Sequence, residues 1–290
     1  MSNSSILVTG GNGQLGSELK ELANNYPQFT FTFIDVADLD LTDEIALKKY
    51  FAENKFGYIV NCAAYTAVDA AEENKDLARR VNAHAVKMIA QVANENDIRV
   101  IHISTDYVFS GEQNQPIGED EQTGPISVYG ETKLAGEKIL MTTAKNAYII
   151  RTAWVYSSFG KNFVKSIINA AKQRPELGVV ADQIGSPTYA RDLASAILSI
   201  IDSIHSGKKD APGIYHYTNE GVISWYDFAH FIVAEKKLNS KVKPIRTSEY
   251  KTLAARPKFS VLSKDKIKST FGISIPHWHD SLRKVLAELE

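Results

Sequence analysis

The chain has 290 residues, 44% hydrophobic and 23% charged, a composition that excludes a disordered chain and allows a substantial core. Its formal net charge of -1 leaves no global positive field, so neither nucleic acid nor a membrane surface is expected as a partner. The lone cysteine, Cys62, can form no internal disulfide and reads as a small buried residue of a reducing, cytoplasmic compartment.

Met1-Ser-Asn-Ser-Ser enters an apolar strand with no basic start and no long apolar stretch, so neither a signal peptide nor a membrane span is expected. Ile6–Thr9 reads as a strand, followed by a glycine-punctuated turn and a helix over 14–24. Phe29–Asp35 is a second strand, and Thr42 and Asp43 open a helix over 44–53. A third strand spans Tyr58–Asn61, and one long helix is expected over about 71–96. Arg99–Ser104 follows as a strand whose apolar run suits burial on both faces. A helix over Tyr129–Thr143 and a strand over Ala147–Thr152 complete the series. Such alternation builds a parallel sheet with helices on both faces.

The second half is less regular. Helices are expected over 162–172, 191–204, 224–237 and 282–290, a loop over 207–213 and a short strand over 215–217. The fold class is therefore α/β: a Rossmann-type doubly wound parallel sheet with a smaller, mixed α/β substrate-binding lobe. Residues 1–155 form the dinucleotide-binding domain, rejoined by some later segments, and residues 156–290 mainly the lobe.

The first strand ends in Thr9-Gly10-Gly-Asn-Gly13-Gln-Leu-Gly16. Gly10 permits a tight turn, Gly13 lets the backbone approach a pyrophosphate, and Gly16 lets the helix pack against the sheet. Phosphates then sit at the positive end of a helix that begins near Gln14. Asp35 closes the second strand, where an acidic residue bonds an adenine-ribose 2′-hydroxyl, and no Arg or Lys lies beside it. That tilts the choice from NADPH towards NADH, although Asp35 also reads as a helix cap or loop charge. Asp40 and Leu41 follow where an adenine-flanking loop is expected. Ala63 and Ala64 leave the third strand with small side chains, which suit close passage of a cofactor and equally plain packing.

Tyr129-Gly-Glu-Thr-Lys133 puts a phenol and an ammonium on one helical face. A phenol titrates near ~10 and needs a stabilised anion to work at neutral pH, which an adjacent ammonium supplies. Thr105 leaves the fourth strand at its carboxyl end and is placed to donate to a substrate oxygen beside Tyr129. YxxxK alone occurs on many surface helices. A glycine turn, a polar strand end and YxxxK in this order are much more specific.

These residues resemble the extended short-chain dehydrogenases/reductases, and more closely the dTDP-4-dehydrorhamnose reductases. The resemblance rests on Gly13–Gly16, Asn61–Asp69, Ser104–Phe109, Val128–Glu137, Arg151–Tyr156 and Asp182–Thr188, with Trp225-Tyr226 and Arg256-Pro257, and spans nearly the whole chain. It implies reduction of the 4-keto group of dTDP-4-dehydro-L-rhamnose by NADH or NADPH. In that reaction Tyr129 protonates the carbonyl oxygen, Lys133 lowers the tyrosine pKa and binds ribose, and Thr105 polarises the carbonyl. By the same resemblance Gly13, Gln14, Leu15, Asp35, Asp40, Leu41, Ala64, Tyr65 and Thr66 touch the cofactor. Thr105, Asp106 and Trp154 meet the nucleotide sugar.

Lys161, Asn162 and Lys165 open a predicted helix and suit a diphosphate, as does the planar guanidinium of Arg256; each charge also reads as solvated surface. Some relatives hold Mg²⁺ at a dimer interface through glutamates at positions resembling Glu18 and Glu288. The third position is Arg191 here, a positive charge where the cation sits, so no metal is expected and monomer and homodimer stay open. His277 and His279 read as a loop pair rather than a zinc site. An epimerase or another nucleotide-sugar 4-ketoreductase shares these motifs. A non-catalytic dinucleotide-binding regulatory subunit is disfavoured by the intact Thr105, Tyr129 and Lys133.

Overall fold

The computed structural model describes residues 4–289; Met1 to Asn3 of the N-terminal read and Glu290 of the expected terminal helix lie outside the described residues. The β-branched runs form β1 (Ser5–Thr9), β2 (Thr30–Ile34), β3 (Tyr58–Asn61), β4 (Arg99–Thr105) and β5 (Ala147–Thr152). A sixth strand, Gly213–His216, comes from the second half and joins the edge beside β5. The order is Gly213–His216, β5, β4, β3, β1, β2, with every pairing parallel. From β1 the chain runs outward to β2 and returns on the other side to β3. Such a reversal opens a crevice at the carboxyl end of β1, where ligands bind in open parallel sheets.

The period of two along each strand divides the core. Ile6, Val8, Tyr58, Val60, Ile101, Tyr148 and Ile150 face one layer, and Leu7, Ile59, Val100 and Ile149 the other. The chain carries α1 (Gln14–Leu22), α2 (Glu44–Glu53), α3 (Val68–Glu73), α4 (Lys75–Arg79), α5 (Ala85–Glu95), α6 (Val128–Thr143), α7 (Phe163–Gln173) and α8 (Ala190–His205). Leu15 and Leu19 of α1 and Leu193, Ile197 and Ile201 of α8 cover the first face. Leu47 and Phe51 of α2, Val86 and Ile89 of α5 and Leu140 of α6 cover the second. Asp43 caps α2, accepting from the amides of Ile45 and Ala46 at 3.0 Å.

The single helix expected over 71–96 is divided. It breaks at Asn74 (φ -112°, ψ 50°) and opens into a wide π turn over Arg80–His84 before α5. The extra residue of that turn directs the Asn82 side chain inward, a use common to such turns. Its Oδ1 accepts from the Tyr65 amide at 2.8 Å, and its Nδ2 donates to the Tyr65 carbonyl and to Thr132 Oγ1, each at 3.1 Å.

Beyond β5, Tyr156, Val164, Ile167, Phe228, Trp278 and Leu282 form a separate core. Glu176–Val180 and Lys241–Ile245 pair in parallel there, and Asp265–Phe271 is a further helix; the irregular spacing of apolar residues hides all three from a sequence reading. The terminal helix starts earlier than expected, at Trp278, because His277 Nδ1 accepts the His279 amide at 3.3 Å. No described helix is long and apolar enough to cross a membrane.

Candidate active site

A cavity of about 920 Å³ opens at the carboxyl ends of β1, β3 and β4. Gly10, at the end of β1, has φ +65°, and a Cβ there would lie 2.8 Å from the Ala63 amide nitrogen. A Cβ on Gly16 would lie 2.3 Å from the Gly10 carbonyl oxygen. Only glycine lets turn, helix and neighbouring strand approach so closely. Gly13 stands at the N-cap of α1 with no side chain capping the helix, so the first amides are free to meet an anion.

Gln14, Leu15, Asp35, Asp40, Leu41, Ala63, Ala64 and Thr66 line the same cavity, together with Gly10, Gly13 and Gly16. Both Asp35 oxygens accept from backbone, Oδ2 from Asn12 at 3.0 Å and Oδ1 from Val36 at 2.8 Å, tying β2 to the glycine turn. Two bonds from Thr42 hold the Asp40 carboxyl below its ordinary range, with Arg80 adding to the pull. Tyr65 stands outside the cavity wall; its backbone, gripped by Asn82, shapes the loop that carries Ala63 and Ala64.

Ser127 caps α6, accepting from Gly130 at 3.2 Å, and so fixes the first turn on which Tyr129 stands. Tyr129 (9% exposed) and Lys133 (2%) both reach the cavity, as do Thr105 and Asp106. Burial pushes the Tyr129 phenol up to about 12, with the neighbouring Thr105 hydroxyl pulling it down and Asp106 adding to the rise. That direction is opposite to the one expected from an adjacent lysine. Lys133 instead donates from Nζ to the Ile103 carbonyl at 2.7 Å, and burial brings its ammonium down to about 8 against the pull of Glu137 and Cys62. The phenol is thus fully protonated at neutral pH, the state a proton donor needs.

Thr105 Oγ1 donates to Asp106 Oδ1 at 2.9 Å and accepts from the Tyr107 amide at 3.2 Å. Asp106 is 3% exposed, and its buried Oδ2 has no hydrogen-bond partner. Burial pushes the carboxyl up to about 6 from an ordinary 3.8, with Thr105 and Ser260 opposing. A raised carboxyl stabilises the fold fully below its unfolded value, and that contribution is lost as the pH rises through about 6. Asp106→Asn is therefore expected to be more stable than the parent above pH 7, by up to about 3 kcal/mol, the two converging towards pH 4. Urea midpoints across that range check it; a gap independent of pH excludes Asp106 as its source.

On the far wall Trp154, at φ +50°, stacks on Trp225 with ring centroids 3.6 Å apart and planes at 12°, and Phe163 leans on Trp225 at 4.6 Å. All three line the cavity with Lys161 and Asn162. A non-glycine residue held at positive φ is costly, and such outliers concentrate at ligand sites. Asn162 caps α7 through the Lys165 amide at 3.1 Å and donates to Gln14 Oε1 at 3.0 Å, joining the lobe to the glycine turn. Two expected phosphate partners lie outside the cavity. Lys165 Nζ donates to the Gly160 carbonyl at 3.0 Å, and Arg256 grips Asp69 with bonds of 2.6 and 3.2 Å.

The family model described as the RmlD substrate binding domain matches residues 4–290. A dTDP-4-dehydrorhamnose reductase of Aggregatibacter actinomycetemcomitans is 40% identical over 291 residues, covering 98% of this chain and 99% of that protein. The chain belongs to the dTDP-4-dehydrorhamnose reductase family. The solved dTDP-4-dehydrorhamnose reductase of Clostridium acetobutylicum superimposes with a TM-score of 0.93 at 42% identity, over 98% of this chain and 99% of that one. That of Bacillus anthracis, solved in complex with NADP, gives 0.93 at 35% identity over 99% of each chain. The enzyme class of the dTDP-4-dehydrorhamnose reductases is NAD(P)-dependent oxidoreductase, and the fold is theirs.

The metal-holding positions of some dTDP-4-dehydrorhamnose reductases do not fit a divalent cation in this chain. Glu18 is wholly buried; its Oε1 accepts from Ser157 at 2.6 Å, and its Oε2 faces the Arg191 guanidinium at 3.6 Å. Burial raises the Glu18 carboxyl, Ser157 and Arg191 lower it, and Glu288 raises it. An arginine beside the carboxylate supplies the charge that a cation would bring. Sequence reasoning missed Phe163 and Asn82, whose spacing reads as ordinary helix or core; Trp225 stood out only as part of the resemblance.

Proposed function

We propose that this protein reduces the 4-keto group of dTDP-4-dehydro-L-rhamnose to dTDP-L-rhamnose, with Tyr129 as proton donor. The single observation that carries the reading is the meeting of the protonated Tyr129 phenol, Lys133 and the glycine turn in one cavity. The cradle at Gly10 and the uncapped start of α1 fit the pyrophosphate of NADH or NADPH. When bound, that cofactor supplies the hydride. Tyr129 gives its proton to the carbonyl oxygen, Thr105 orients and polarises that carbonyl, and Lys133 steadies the phenolate left behind. Trp154 and Asp106 hold the sugar. The sheet with its rejoining segments binds the dinucleotide, and the lobe beyond residue 156 the nucleotide sugar.

Asp35 favours NADH, since its carboxylate accepts from a ribose 2′-hydroxyl and repels a 2′-phosphate. Asp35→Ala is expected to weaken NADH by roughly 10- to 100-fold while leaving NADPH much less affected. Parallel titrations with the two cofactors check this, and an unchanged preference removes Asp35 from the choice. The function itself is tested by following oxidation of NADH and NADPH with the 4-keto-6-deoxy nucleotide sugar. Steady turnover is expected, and none with either cofactor overturns the reading.

A further inference from the structure

A line of buried polar side chains runs from Lys133 into the sheet, and the proposed reaction uses none of it but Lys133. It consists of Thr9 in β1 (1% exposed), Asn61 in β3 (2%), His102 in β4 (0%) and Lys133 in α6 (2%). Thr9 Oγ1 donates to Asn61 Oδ1 at 2.6 Å. The amide nitrogen of Asn61 therefore turns to His102 Nδ1, at 2.9 Å. An amide NH₂ only donates, so Nδ1 must accept, and a neutral imidazole then carries its proton on Nε2. Burial, with the Lys133 charge adding, holds the imidazole far below its ordinary pKa and hence neutral.

That Nε2–H faces Lys133 Nζ at 3.4 Å, while Nζ donates to the Ile103 carbonyl at 2.7 Å. An ammonium has donors only and makes no bond with an N–H. An uncharged amine has a lone pair and accepts it.

We propose that His102 is a positioning residue: locked as the Nε2–H tautomer by Thr9 and Asn61, it directs Nζ onto the Ile103 carbonyl and favours the uncharged form of Lys133. The consequence rests on the reading above, in which Lys133 works beside Tyr129. The other charged or titratable groups acting on the lysine are Glu137, one turn along α6, and Cys62, after β3, both favouring its charge. Burial outweighs both and brings the ammonium down to about 8. His102 thereby lets Lys133 pass its proton on rather than remain a fixed cation.

The first test needs no variant. His216 is equally buried, but its Nδ1 lies 3.1 Å from the Ile117 carbonyl and so must carry the proton. In a ¹⁵N-histidine-labelled protein, two imidazoles should fail to titrate between pH 5 and 8, one Nε2–H and one Nδ1–H. Two Nδ1–H signals overturn the proposal. The second test follows the ionisation of Lys133 by lysine ¹³Cε resonances in the parent and in His102→Phe. The midpoint is expected to rise by about half to one pH unit, from loss of one hydrogen bond to the amine. A midpoint unmoved or lowered overturns the proposal. The alkaline limb of kcat should move with it; a lysine that shifts while that limb stays still leaves His102 in place and counts against the catalytic role of Lys133.

Discussion

Replacing Tyr129 with phenylalanine is expected to reduce turnover by roughly 10²–10⁴-fold while leaving NADH binding nearly intact. The change removes one hydroxyl and little else. The ring packs edge-on against Tyr107 at 5.4 Å and 73° and sits among Ala71, Ala78 and Val128, contacts that phenylalanine keeps. The glycine turn and Asp35, where the cofactor is proposed to lie, stand on other elements. The loss should therefore fall on kcat and leave the folded protein intact. Steady-state kinetics beside a cofactor titration separate the two effects. Near-normal turnover removes Tyr129 from the chemistry, and lost NADH binding shows that its hydroxyl holds cofactor instead.

Glu137→Ala is expected to cost about 3–5 kcal/mol of stability, the usual scale for breaking a buried ion pair by removing one partner. Arg151 donates from Nε to the two Glu137 oxygens at 3.0 and 3.2 Å and from Nη2 at 2.8 Å, and both side chains are 3% exposed. The remaining Nη1 donates to the Glu119 carbonyl at 3.2 Å, and the guanidinium lies 5.0 Å from the centre of the Phe109 ring. Removing the carboxylate leaves a delocalised charge on β5 answered only by neutral groups: the Glu119 carbonyl, the Phe109 ring and His216 Nε2, 3.5 Å from Nη1. Domains are typically stable by only 5–15 kcal/mol, so the urea midpoint should fall steeply. The double change of Glu137→Leu with Arg151→Met should recover most of that loss, since neither charge then remains buried. A single-variant loss under about 1 kcal/mol, or a double variant worse than the single, excludes the pair as a main support of the fold.

The two changes act on one helix for different reasons. Tyr129 lies in the first turn of α6, where the Ser127 cap sets its direction, and Glu137 lies two turns further along, where α6 meets β5. Between them Lys133 feels both ends: Glu137 favours its charge, and the cavity takes its ammonium. One helix, with polar as well as apolar side chains buried, thus carries both predicted effects.

Much of this was legible in the amino-acid order. The five leading strands, the glycine turn at Gly10–Gly16, the acidic end of β2 at Asp35 and the Tyr129–Lys133 spacing all stand where local pattern places them. Strands alternate with a period of two, helices repeat near 3.6, and only glycine tolerates the approaches at Gly10 and Gly16. These are short-range constraints, written in neighbouring residues.

The electrostatics of the site followed other rules. Whether a lysine lowers a tyrosine depends on where its ammonium turns, and Ile103 and His102, 30 and 31 residues away in sequence, decide that. Arg256 reads as a phosphate ligand until Asp69, far off in the chain, is found to hold it. Trp154 is expected at the sugar, but only the folded lobe lays Trp225 against it in the cavity wall. Periodicity and turn chemistry act through the nearest bonds, so the amino-acid order alone specified five strands of the sheet, the glycine turn and the Tyr129–Lys133 spacing. Hydrogen-bond direction, burial and charge pairing act through space between segments that meet only on folding, so the protonation states and partners within the crevice were set by the tertiary structure.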